Sequence, residues 1–299
     1  MRNFSLFVAL MALALIAAAA FTYPAWWLVS LVSVEPVHRV MNRLAMLFAL
    51  VGLILLTRKL GLADRDALGY GLPRRRFLSQ LFTAWVIGFA LMSPLIVMLL
   101  GLDIRELRSG GAGSVAQAIP GALVSGLAVA FIEETFFRGA LFTAVSRQSG
   151  KLAAIIAPSL LYAAVHFLGG KLSLAAHQVS WEDGFVVLSR LFERYADPLA
   201  LADSFTALFA LGIFLAVVRA RTGAIAATIG LHAAGVTTIA LLRDQTRVER
   251  GSEYAFLVGS YDGVIGWAAA IWFVVIVAGF IWLSSKRRAD KAELGAGGA

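Results

Sequence analysis

Eight apolar runs, each about as long as the ~30 Å hydrocarbon layer of a bilayer requires, leave this chain few folds to choose from. They lie at about 4–33, 41–57, 80–101, 116–145, 151–168, 204–219, 223–242 and 261–285. Of the 299 residues, 60% are hydrophobic and only 15% charged, with a mean hydropathy of +0.82, more apolar segment than a soluble core of this size could hide. The expected class is all-α, a polytopic membrane helix bundle of about eight transmembrane helices. The short turns near Ser146–Gly150 and Arg219–Gly223 make their flanking helices antiparallel neighbours. Ala17–Ala20 imitates a signal-peptide cleavage region, but apolar character continues past Thr22-Tyr-Pro-Ala-Trp-Trp27, an aromatic belt, so the first run reads as an uncleaved anchor. The chain contains no cysteine, which removes disulfides and thiolate metal sites.

The charges between the runs give an orientation. With a cytoplasmic N-terminus, that side collects Arg2, Arg58, Lys59, Arg65, Arg74, Arg75, Arg76, Arg147, Lys151, Arg219, Arg221, Lys286, Arg287, Arg288 and Lys291, against only Asp64, Asp66, Asp290 and Glu293. Such a bias places both termini in the cytoplasm. The net charge of +8 then reports contact with anionic lipid, and no nucleic-acid partner is expected. The expected location is a multi-pass one in a membrane, that of a bacterial inner (plasma) membrane. The organisation reads as N-terminal transmembrane helices over 1–59, a core over 60–285 with an outer insert at about 169–203, and a disordered basic tail over 286–299. Within the insert, Phe185 to Tyr195 reads as a short amphipathic helix with Arg190, Glu193 and Arg194 on its polar face. It is either a spacer on the lipid surface or a lid over a site.

The fourth run holds the chemistry: Phe131-Ile-Glu-Glu-Thr-Phe-Phe-Arg-Gly139 puts two carboxylates and a guanidinium at membrane depth. Each ionisable group there costs about 2.5–3.5 kcal/mol on insertion scales and so usually has a function. Glu134 and Arg138 are four apart on one helix face, in the favourable order for an ion pair, whereas Glu133 is rotated about 100° away and left without that partner. Counting ~1.5 Å per residue, Glu133 lies about 21 Å from the inner surface, His166 about 22 Å and His232 about 17 Å. Singly, each histidine reads as a core group bonded to a backbone carbonyl, and Glu134 with Arg138 as a clamp. Three helices converging on one layer read better as a shared site that activates a water or binds a metal. His38 and His177 fall in outer loops and read as solvated.

These residues resemble the CPBP intramembrane proteases, the family of the CAAX prenyl endopeptidases and bacteriocin-processing or immunity relatives. Its EExxxR motif stands as Glu133-Glu134-Thr-Phe-Phe-Arg138, its second motif, an aromatic followed by histidine, as Tyr162 to His166, and its third begins at His232. The lead-in from Leu60-Gly to Gly71-Leu-Pro-Arg-Arg-Arg76 is similar too. The resemblance implies that Glu133 is a general base, that His166 orients the attacking water, that His232 faces the oxyanion and that Glu134 with Arg138 holds the helix. It also implies a membrane-anchored or C-terminally processed protein as substrate. The chain departs from the family at Val236, where an oxyanion-donating asparagine is common; Thr228, one turn before His232, is the candidate replacement. No HExxH is present. Metal-free hydrolysis without cofactor is therefore expected, the alternative being zinc on Glu133, His166 and His232. The rival function is a catalytically weak or inactive scaffold or immunity protein of the same fold. A proton-coupled transporter is weaker, for want of paired Gly/Pro-broken helices.

Overall fold

The computed structural model describes residues 1–108 and 111–296. Among them, seven helices are long and apolar enough to cross a membrane. In chain order these are α1 (Arg2–Ser30), α2 (Val37–Lys59), α3 (Arg74–Gly101), the run Gly113–Val165, Leu199–Thr222, α8 (Ala226–Gln245) and Trp267–Lys286. The fourth is 53 residues long and breaks at Gly150, whose φ of 83° and ψ of 169° are not helical. Its two arms are the expected fourth and fifth spans. The first arm comprises α4 (Gly111–Glu134), a π-helical turn, Thr135–Leu141, and the start of α5 (Phe142–Val165), whose remainder lies beyond the break. The remaining helices are the short α6 (Asp183–Arg190), α7 (Ala202–Thr222) and α9 (Trp267–Ala296).

Connecting segments gather at two ends, as the charge pattern requires. At the basic end, the Met1 amino group donates to Ser149 Oγ at 2.9 Å, Arg147 reaches Gly61 O at 3.1 Å and Ile225 N bonds Gly69 O at 3.0 Å. At the far end, β1 (Arg105–Leu107) and β2 (Thr246–Val248) pair antiparallel, with Glu106 opposite Arg247. These two short strands are the one departure from an all-α architecture among the described residues. Arg105, 4% exposed, ties them to the next loop, donating to Thr246 Oγ1 and Gly263 O, both at 2.6 Å.

The bundle centre is α8, which packs against α3 and α4, and α7, which packs against α5 and α9. In lipid, helices associate through close backbone approach rather than hydrophobic expulsion, so the contacts are made by small residues. Gly126 of α4 shows this: a Cβ there would stand 2.7 Å from Ala233 O and 2.3 Å from the Thr237 hydroxyl. Gly212 of α7 meets Ser159 of α5 in the same way, at 2.9 Å.

The insert 169–203 turns back onto α1 and α2. Its helix occupies Asp183–Arg190, starting and ending earlier than the expected Phe185–Tyr195, and its apolar residues Val187 and Leu191 pack with Ala18, Ala19, Trp26 and Met41 of α1 and α2. His38, expected to be solvated, is half-buried and its Nδ1 lies 2.9 Å from Leu172 O, so it staples α2 to the insert. The reason is local: the insert turns back onto the bundle, and a bare helix edge offers it both an apolar face and a polar partner. Helix α9 continues to Ala296, through residues 286–296 of the tail expected to be disordered, since Lys, Arg, Ala, Glu and Leu are good helix formers. Residues 297–299 lie outside the described residues.

Candidate active site

Two adjacent glutamates at the end of α4 point about 100° apart, and the structure gives them opposite environments. Glu134 turns inward and is fully buried. Its Oε1 accepts from Arg138 Nη1 and from His232 Nδ1, both at 2.9 Å. Arg138, 1% exposed, spends its other nitrogen Nη2 on Gly212 O at 3.1 Å, and its guanidinium carbon lies 4.5 Å from the centre of the Tyr162 ring. A buried charge is tolerated when it is paired, and this pair is held from α4, α7 and α8 at once, although Glu134 Oε2 itself has no partner. The π-helical turn that carries Arg138 is itself clamped, because Arg219 Nε donates to Arg138 O at 3.0 Å. Such turns recur at functional sites, where they re-aim side chains.

Glu133 faces the other way and remains 27% exposed. Its Oε2 lies 3.9 Å from His166 Nε2 and 3.8 Å from His232 Nε2, and has no hydrogen-bond partner. Both imidazoles are oriented from behind. His166 Nδ1 is 2.6 Å from Tyr162 O and His232 Nδ1 is on Glu134; since a carbonyl and a carboxylate only accept, the network assigns the Nδ1 proton in both rings. The Nε2 atoms are therefore what the histidines present to Glu133.

Above this cluster is a cavity of ≈ 330 Å³, within the range of small-ligand sites. Tyr162, His166 and His232 line its floor, apolar residues of α3, α7 and α9 its walls, and Arg243, Tyr261 and Asp262 its rim at the far end. At the rim, burial, with Asp262 adding to it, pushes the Tyr261 phenol up, so the hydroxyl stays neutral.

All five residues singled out in the sequence, Glu133, Glu134, Arg138, His166 and His232, meet here. Three details differ from expectation. Glu134 does more than clamp its own helix, because the same oxygen orients His232. Thr228 is no oxyanion donor: it is fully buried beside Glu134, and its hydroxyl donates to Ile225 O at 2.9 Å. Helix direction explains this, since α8 rises from the basic end and Thr228 lies a turn below His232, whereas Val236 lies a turn above it and lines the cavity. Tyr162, noted in sequence only as the aromatic of a motif, places its hydroxyl 3.4 Å from His232 Nε2. A hydroxyl where an aromatic ring alone was needed is the signal that could have found it. His177, as expected, is exposed.

Ligand atoms on a tetrahedral ion with ~2.0–2.1 Å bonds stand about 3.3–3.4 Å apart, and both gaps from Glu133 are wider than that. Among the described residues no group of three or more His, Cys, Asp or Glu is placed to hold a metal ion.

Fold and site thus define a multi-pass helical membrane protein with an ionisable cluster buried at one end of an apolar cavity. Residues 115–237 match the family model described as Type II CAAX prenyl endopeptidase Rce1-like, a segment that contains all three motifs. No curated protein and no solved structure matches the chain.

Proposed function

We propose that the protein is an intramembrane endopeptidase that hydrolyses a peptide bond of a membrane-associated protein or peptide with a water activated by Glu133. The observation that carries this reading is the unpartnered Glu133 Oε2 held 3.8 and 3.9 Å from two pre-oriented imidazoles on a cavity floor. Polar atoms at such spacings are suited to sharing one water. Glu133 takes a proton from that water as its oxygen attacks the carbonyl carbon, giving a tetrahedral oxyanion; the C–N bond then breaks and Glu133 returns the proton to the leaving nitrogen. His166 positions the water. His232, backed by Glu134 through Nδ1, faces the oxyanion with Nε2. No metal or cofactor takes part.

The chain sits in a bacterial inner membrane with both termini cytoplasmic, in contact with lipid and with no nucleic acid, and the substrate enters from the far end past Arg243 and Tyr261. The substrate class is a membrane-anchored or C-terminally processed protein. The test is hydrolysis of quenched-fluorescence peptides, prenylated and unmodified, by the purified protein in lipid nanodiscs, with Glu133→Gln as the control and as a trap for co-purifying peptide. Wild-type turnover in that variant would remove the assignment.

A further inference from the structure

The oxyanion side of this site lacks one donor and contains another that no motif supplies. Val236 stands one helical turn beyond His232 on the cavity wall and can donate nothing. The only other donor so far on that side, His232 Nε2, donates only when the ring is protonated, because Nδ1 already carries the proton bonded to Glu134. Directly beside it, the Tyr162 hydroxyl lies 3.4 Å from Nε2. Its ring is 1% exposed and gripped on several sides: by the Arg138 guanidinium at 4.5 Å, the Phe137 ring at 5.3 Å and the His166 ring at 4.4 Å. A hydroxyl held this rigidly is preorganised, and preorganised donors are what stabilise a developing oxyanion at little reorganisation cost.

We propose that the Tyr162 hydroxyl is the second oxyanion donor of this site, standing in for the donor that position 236 lacks. The inference rests on the hydrolase reading above. In the resting site the hydroxyl donates to His232 Nε2; when the carbonyl becomes tetrahedral it turns its hydrogen onto the new oxyanion. No bond to Tyr162 is made or broken. Because the interaction exists only in the transition state, it acts on kcat and leaves KM unchanged.

The experiment compares wild type, Glu133→Gln, Tyr162→Phe, Val236→Asn and the double variant Tyr162→Phe/Val236→Asn on the same panel of peptides. Phenylalanine keeps the ring contacts, so Tyr162→Phe is expected to fold normally and to lose about 10²–10³-fold in kcat, the cost of one oxyanion donor. Asparagine at 236 is expected to restore at least about tenfold of that loss in the Tyr162→Phe background and to gain much less in wild type. Recovery in the double variant also shows that the single variant was folded. Wild-type kcat in Tyr162→Phe, or the same gain from Val236→Asn in both backgrounds, overturns the donor assignment while an inactive Glu133→Gln leaves the hydrolase standing. Turnover by Glu133→Gln, or none by wild type on any peptide, overturns the hydrolase reading and this one with it.

Discussion

Glu134 and Glu133 are neighbours in sequence and opposites in circumstance. The Glu134 half of the site is closed to solvent: Oε1 accepts from both the guanidinium and the imidazole, Arg138 Nη2 donates to Gly212 O, and only Oε2 is left without a partner. The Glu133 half is open, with a carboxylate oxygen lacking any partner and two Nε2 atoms nearly 4 Å away. Bonds from Glu134 Oε1 and Arg138 that join three helices suit the closed half to hold those helices in register. An unsatisfied carboxylate oxygen beside a cavity floor is a cost to the fold, and such groups cluster where chemistry needs them. The two halves share His232, whose Nδ1 belongs to one and Nε2 to the other.

The contrast is sharpest at Glu133→Gln, expected to abolish peptide hydrolysis while leaving the melting temperature in detergent within a few degrees of wild type. A large loss of stability there would mean that the open half is structural after all. Arg138→Ala should do the reverse, destabilising the fold by about 3–5 kcal/mol by stranding a buried carboxylate, read as a lowered unfolding midpoint in mixed micelles; a normally stable, inactive Arg138→Ala would break the division. His166→Ala, in the open half, is expected to cost about 10²–10⁴ in kcat with little effect on stability, the range for a residue acting on proton transfer. Arg105→Ala lies outside both halves, and losing its bonds to Thr246 and Gly263 should cost about 1–3 kcal/mol at the far end, seen as faster amide exchange in residues 105–107 and 246–248 before any change in turnover. The smallest effect is expected from chelation: dialysis against EDTA should change turnover less than twofold, and elemental analysis should find no stoichiometric zinc. A stoichiometric ion lost in His166→Ala would rewrite the open half as a metal centre.

Much of the site was legible because the bilayer makes it so. Charges at 133, 134 and 138 and imidazoles at 166 and 232 are conspicuous in hydrocarbon-length runs, and a fixed rise per residue brings them to one depth. The i,i+4 spacing also announced the Glu134–Arg138 pair. Other features were not legible. That Glu134 Oε1 would serve His232 as well depends on the rotation of α8 about its own axis, which no spacing within one helix encodes. Thr228 and Val236 are equivalent by periodicity, each four residues from His232; only the direction in which α8 rises past the cavity separates them. The insert helix was visible as amphipathic, but whether its apolar face met lipid or protein depended on the bare edge left by α1 and α2.

The sequence by itself determined the helical class, the sorting of loops to two ends and the layer at which the ionisable groups meet, because hydrocarbon thickness and helical rise act along one dimension. Only the tertiary structure decided which carboxylate is bonded to Arg138 and His232 and which is left facing the two imidazoles, and that a tyrosine hydroxyl stands beside His232 Nε2. Those outcomes depend on the azimuth and crossing of helices distant in sequence, set by close contacts such as Gly126 on Ala233 and Gly212 on Ser159.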